Sequence, residues 1–114
     1  MQGPNPWKVA IILEELGVPY QSEFLDFAKI KQEPYISVNP NGRVPAIEDP
    51  NTGIVLWETG AIIDYVLETY DKDNSLQYTN PQEKWDQRAW ADFQKSGQGP
   101  YFGQLTWFKY VSCP

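Results

Sequence analysis

The chain has 114 residues, 41% of them hydrophobic, enough to build one modest core or part of a larger one. Nine basic residues against fifteen acidic ones leave a net charge of −6, which repels nucleic acid and anionic membrane surfaces and excludes both as expected partners. With no histidine and a single cysteine, Cys113, histidine-based nucleophilic triads, histidine-ligated zinc and a disulfide frame are excluded, and no metal is expected.

The opening residues Met1-Gln2-Gly3-Pro4 carry no positive region ahead of an apolar run, and no window approaches the ~18 apolar residues of a membrane span. A cytoplasmic protein is the expectation. Asn5-Pro6 reads as a helix start, with Asn5 as N-cap and Pro6 at the first helical position. Val9, Ile12, Leu13 and Leu16 follow at helical spacing, and Gly17 supplies a left-handed stop. Pro19 forces a turn. Tyr20 to Phe27 alternates aromatic and polar residues and reads as a strand. Lys29 to Val38 is polar and ill-patterned, with room for a short irregular helix, and Asn39-Pro40-Asn41-Gly42 is a turn by composition.

Two strands are predicted next, Val44 to Glu48 and Ile54 to Trp57, joined by the five-residue spacer Asp49-Pro50-Asn51-Thr52-Gly53 as a hairpin. Pro45 has no N–H to give a ladder, so this segment belongs at an edge or bend, with the Val44 backbone free to pair with an extended, peptide-like ligand. From Thr59 the residues Ile62, Ile63, Tyr65, Val66 and Tyr70 repeat at helical spacing. The N-terminus of that helix suits a carboxylate, through unpaired N–H groups and the positive end of the dipole. Asp71 to Ser75 is a linker. Pro81 to Lys95 is a fourth, amphipathic helix that Gly97 ends or kinks, and an aromatic tail runs from Pro100 through Tyr101, Phe102, Trp107, Phe108 and Tyr110.

Four motifs stand in one order along the chain: Gly3-Pro4-Asn5-Pro6-Trp7-Lys8-Val9, Ser37-Val38-Asn39-Pro40-Asn41-Gly42-Arg43-Val44-Pro45-Ala46, Leu56-Trp57-Glu58-Thr59-Gly60-Ala61-Ile62 and Phe93-Gln94-Lys95-Ser96-Gly97-Gln98-Gly99-Pro100. Together they resemble the glutathione S-transferase superfamily, in the fungal branch that includes the yeast nitrogen-regulator prion protein. The resemblance covers roughly Gly3 to Phe108.

That resemblance implies an α/β fold: a thioredoxin-like N-terminal domain over 1–74, then the beginning of an all-helical C-terminal domain over 75–114. It implies a cis Val44-Pro45 bond and glutathione as co-substrate. The main chain of Val44, ahead of Pro45, would pair with the cysteinyl part. Glu58 and Thr59 would hold the γ-glutamyl end, Thr59 standing where the family usually has serine. Lys31 is the better match for the basic residue that meets the glycine carboxylate, with Lys29 and Arg43 behind it. Asn5 falls where the family keeps its catalytic side chain. An asparagine cannot take a proton at neutral pH, so its implied role is to stabilise the thiolate by a hydrogen bond, helped by the helix dipole.

Each of these residues also has a plainer reading. Asn5 can be only an N-cap, Glu58 only a helix cap, Lys31 a solvated lysine and Arg43 the cover of a turn. Trp7, Tyr101 and Phe102 can line a pocket for an apolar co-substrate or belong to a core. Cys113 has no charge partner in sequence and is expected to be inert.

Two departures from the family pattern stand beside the matches. Only Met1 and Gln2 precede Gly3 and the resemblance ends near Phe108, so the family's first strand and most of its helical domain are expected to be missing. Three functions remain open at this point. One is a transferase joining the glutathione thiolate to an apolar electrophile, in detoxification or fungal secondary-metabolite biosynthesis. The second is a non-catalytic glutathione-binding or protein-interaction module, and the third is an inactive truncated remnant. The resemblance also implies a homodimer.

Overall fold

The computed structural model describes residues 3–112, and these divide between Ser75 and Leu76 into two compact units. Cys113, expected to be inert, lies outside the described residues.

The first unit begins with helix α1, Pro4–Glu15. Its N-cap is Gly3, in extended conformation, and Pro4 takes the first helical position. Asn5 is therefore the second helical residue and not the expected cap. Pro4 and Pro6 both fit the first turn, where a missing N–H costs nothing, so the earlier proline sets the start. At the other end Gly17 adopts φ 63, Gly17 N–H donates to Glu14 O at 3.0 Å and Val18 N–H to Leu13 O at 2.9 Å. These are the paired bonds of a Schellman stop.

Tyr20 to Phe27 is not a strand. Alternation favours an extended chain, but a strand is completed only by a neighbour's hydrogen bonds. Among the described residues the one sheet has two strands, and neither pairs with this segment. Tyr20, Phe24 and Phe27 are accordingly exposed. The polar stretch that follows does carry a short helix, α2, at Tyr35–Val38.

The hairpin consists of β1, Ala46–Asp49, and β2, Ile54–Trp57, paired antiparallel with Ala46 opposite Trp57, Ile47 opposite Leu56 and Asp49 opposite Ile54. The Val44-Pro45 bond is cis, and the first strand starts two residues later than expected because Pro45 has no N–H to donate to a ladder. The loop is Pro50 to Gly53, one residue shorter than expected, since Asp49 itself is paired. Side chains alternate across the pleat. Ile47 and Leu56 point to the core, while Glu48 and Val55 on the other face are exposed.

Helix α3, Thr59–Tyr70, starts directly after β2. Its buried stripe, Ile62 and Val66, meets Val9 and Leu13 of α1 in one cluster, and Ile62 is fully buried. Truncating a fully enclosed isoleucine to alanine costs about 2–5 kcal/mol. This helix-on-hairpin cluster is the core of the unit.

In the second unit, Asn80 caps α4, Pro81–Phe93, by accepting from Gln82 N–H at 2.9 Å and Glu83 N–H at 3.3 Å. Of the two expectations for Gly97, an end or a kink, the end is not met. Gly97 lies in a wide π-helical turn, Gln94–Gln98, after which the helical path continues as α5, Gly99–Thr106, and a second wide turn, Trp107–Val111. The aromatic tail is therefore helical. Among the described residues no helix is long and apolar enough to cross a membrane.

Candidate functional site

Helix α3 doubles back along the hairpin. Its Tyr65 and Tyr70 hydroxyls both donate to the Asp49 carboxylate at the hairpin loop, each at 2.5 Å. The helix start at Glu58-Thr59 therefore sits at the hairpin's opposite, open end. With Ala46 opposite Trp57, the Val44-Pro45 pair leads into that end on one strand and Glu58-Thr59 leaves it on the other. The register thus brings four of the sequence-predicted residues, Val44, Pro45, Glu58 and Thr59, to one edge.

The chemistry of that edge is one of backbone donors with no protein partner among the described residues. Glu58 is the N-cap of α3, yet its side chain makes no cap bond. The first-turn N–H groups therefore lack a side-chain acceptor. Glu58 therefore stands at the cap position without capping through its side chain. Its backbone is at φ 73, ψ 118, a region that costs a side-chain-bearing residue of order 1–3 kcal/mol and is kept where surrounding structure enforces it. Thr59 is buried and Glu58 exposed, so the hydroxyl stays near the helix end while the carboxylate reaches solvent. Among the described residues neither the N–H nor the carbonyl of Val44 has a protein partner.

The turn ahead of Val44 is tightly built. Gly42 adopts φ 58, and a Cβ there would stand 2.7 Å from Ile30 O and 2.7 Å from Lys31 Cδ, so only glycine fits. Lys31 Nζ donates to Asn41 O at 2.8 Å, which places its ammonium at the turn. The Arg43 side chain is exposed. Two residues that the sequence pattern does not single out hold the turn together. Asn39, only 2% exposed, donates from Nδ2 to Arg43 O at 2.6 Å and accepts Asn41 N–H at 2.9 Å. Tyr35 donates from its hydroxyl to the same Arg43 O at 2.7 Å. Burial pushes the Tyr35 hydroxyl above its ordinary pKa, with the Asn39 contact acting the other way, so at neutral pH it keeps the proton it donates. The available signal was composition: an Asn-Pro-Asn-Gly turn beside an aromatic residue.

Asn5 is exposed in the first turn of α1, four residues ahead of the buried Val9. Trp7 on the same helix is 56% exposed. Tyr101 and Phe102, also exposed, belong to the second unit. An open depression of about 490 Å³, lined by Glu14, Gly17, Val18, Pro19, Tyr20 and Ser22, lies at the other end of α1 and takes no part in this edge.

Comparison with known proteins identifies the family. Residues 1–68 match the family model described as "Glutathione S-transferase, N-terminal domain". The chain is 56% identical over 106 residues to the glutathione S-transferase-like protein OpS6 of Beauveria bassiana, covering 93% of this chain and 49% of that protein. It is 44% identical over 118 residues to Protein URE2 of Debaryomyces hansenii, covering 97% of this chain and 38% of that protein. Among solved structures, a glutathione transferase of Phanerochaete chrysosporium in complex with oxidized glutathione superposes with a TM-score of 0.91 at 48% identity, covering 99% of this chain and 53% of that one. The chain spans about half the length of the curated relatives it matches. Its fold is the thioredoxin-like N-terminal domain followed by helices of the partner domain, and the chain belongs to the glutathione S-transferase family.

Proposed function

We propose that this chain binds glutathione at the open end of the hairpin and carries its part of a transferase reaction, in which the glutathione thiolate attacks an apolar electrophile. The observation that carries this reading is the gathering of Val44, Glu58 and Thr59 at one edge with their polar groups unspent. Glutathione is an extended γ-glutamyl tripeptide with an ammonium, two carboxylates and two amides. Glu58 faces its ammonium. The α3 N-terminus and the Thr59 hydroxyl take the adjacent carboxylate. Val44 pairs with the cysteinyl amide groups as an added strand would. Lys31, and behind it Arg43, offset the glycine carboxylate.

In the reaction the thiol first loses its proton to solvent. Asn5 then stabilises the thiolate by donating a side-chain N–H, with the positive end of α1 beside it. A new carbon–sulfur bond forms as the electrophile's leaving group departs with its electron pair. Trp7 offers an exposed aromatic face on the same unit for an apolar co-substrate. Detoxification or secondary-metabolite biosynthesis would each employ such a step, and the homodimer expected from the family stands as part of the same proposal. The test is the pH dependence of thiolate absorbance in the glutathione complex. The bound thiol pKa should lie below that of free glutathione, and Asn5→Ala should raise it. An unchanged pKa in that variant removes Asn5 from the mechanism.

A second reading, a glutathione-binding module without turnover, is supported by the 44% identity to a relative that carries the name Protein URE2 and not a transferase name. Binding with a normal thiol pKa would favour it.

A further inference from the structure

We infer that Asn39 and Tyr35 are positioning residues that aim the Val44 N–H at the ligand. The inference rests on the glutathione reading and adds to it the device that orients the donor.

The Arg43 carbonyl accepts two hydrogen bonds, from Asn39 Nδ2 at 2.6 Å and from the Tyr35 hydroxyl at 2.7 Å. Two donors occupy both lone pairs of one oxygen. Only the Glu33-Pro34 and Val44-Pro45 bonds are cis among the described residues, so the Arg43-Val44 peptide is trans and planar, with C=O and N–H pointing in opposite directions. Anchoring the oxygen from the Asn39 side fixes the Val44 N–H on the far side, away from α2. No protein acceptor meets it there among the described residues. A donor that cannot rotate and has no partner is preorganised for an acceptor brought by a ligand.

The side-chain chemistry at Asn39 is restrictive. Its Oδ1 accepts the Asn41 N–H at 2.9 Å, so the amide cannot flip, and Nδ2 must face Arg43 O. An aspartate of the same shape would set a carboxylate oxygen against that carbonyl. Because Asn39 is only 2% exposed, Asn39→Asp can fail to fold. Tyr35→Phe removes the other donor while keeping the ring.

The experiment titrates the full 114-residue chain and its Tyr35→Phe and Asn39→Asp variants with glutathione by calorimetry, and follows the Val44 amide resonance by NMR. A second probe, γ-glutamylethylamide, keeps the γ-glutamyl head but lacks the cysteinyl carbonyl. Tyr35→Phe should weaken glutathione about 3- to 10-fold, the range set by one neutral hydrogen bond. It should also move the Val44 amide resonance in the free protein and leave γ-glutamylethylamide binding unchanged. Asn39→Asp, where folded, should weaken glutathione further. Unchanged glutathione affinity in a folded Tyr35→Phe variant, or an equal loss for both probes, overturns the inference and leaves the glutathione reading standing. Failure of the unaltered chain to bind glutathione overturns both.

Discussion

The Tyr65 hydroxyl of α3 donates to the Asp49 carboxylate of the hairpin loop at 2.5 Å, sixteen residues apart in sequence. Tyr70 reaches the same oxygen, Thr52 Oγ1 lies 2.7 Å from the Tyr65 hydroxyl, and Asn51 N–H donates to the other carboxylate oxygen at 2.9 Å. Helix α3 is thus fastened at both ends, by the chain at Glu58 and by this clasp at the loop. Removing the Tyr65 donor leaves the helix tied at one end more loosely. Tyr65→Phe should lower the melting temperature by roughly 5 °C, since a hydrogen bond to a charged group is among the stronger ones in a small domain. Thermal denaturation followed by circular dichroism checks this.

The same clasp predicts an acid dependence. The Tyr65 hydroxyl, then that of Tyr70, holds the Asp49 carboxyl down from 3.8 to about 2. A carboxyl whose pKa is depressed on folding contributes stability above its unfolded pKa and loses it as pH falls through the folded one. The contribution should be fully present above about pH 4 and vanish as pH falls toward about 2. Melting temperature plotted against pH should therefore fall less steeply in that window for Asp49→Asn than for the unaltered chain. Parallel curves would show that other groups govern acid unfolding.

Two glycines with left-handed backbones separate strain from crowding. Gly42 is at φ 58 with a Cβ position 2.7 Å from Ile30 O, whereas Gly53 is at φ 75 with open space around it. Either alanine substitution costs about 1–2 kcal/mol for the conformation, and Gly42→Ala adds a clash with backbone. We expect Gly42→Ala to destabilise the chain more and to lose glutathione binding, because the turn carrying Val44 must shift. Gly53→Ala should leave glutathione affinity unchanged. Urea unfolding and calorimetric titration of both variants make the comparison.

Glu58 combines an exposed carboxylate with a backbone at φ 73. Replacing it by glycine relieves the strain, offset in part by the greater freedom of glycine in the unfolded chain. Glu58→Gly is expected to stabilise the fold by roughly 1 kcal/mol while weakening glutathione about tenfold through loss of the ammonium partner. Loss of stability in this variant would mean that the carboxylate has a structural partner.

Much of this arrangement was legible from residue order. Val9, Leu13, Ile62 and Val66 carry the helical period that packs α1 on α3, and the Pro-Asn-Thr-Gly loop marks the hairpin. Tyr20 to Phe27 alternates like a strand without being one, because alternation states a local preference, while a strand depends on a neighbour that the segment's own residues do not specify. Asn5 was displaced from the cap by the equally suitable Gly3-Pro4. The polar anchors were the least visible. Asn39 and Asp49 have turn-forming side chains, so composition explains them without burial. Asp49 did carry a signal, since it shares pleat parity with Ile47 and so faces α3.

The most direct test of the glutathione site is calorimetric titration of the 114-residue chain with glutathione, run beside its thermal unfolding. Saturable binding to a chain that melts cooperatively, weakened in Glu58→Gly and Gly42→Ala, is the predicted result. A cooperatively folded chain that takes up no glutathione would contradict the assignment of the hairpin's open end as its binding site.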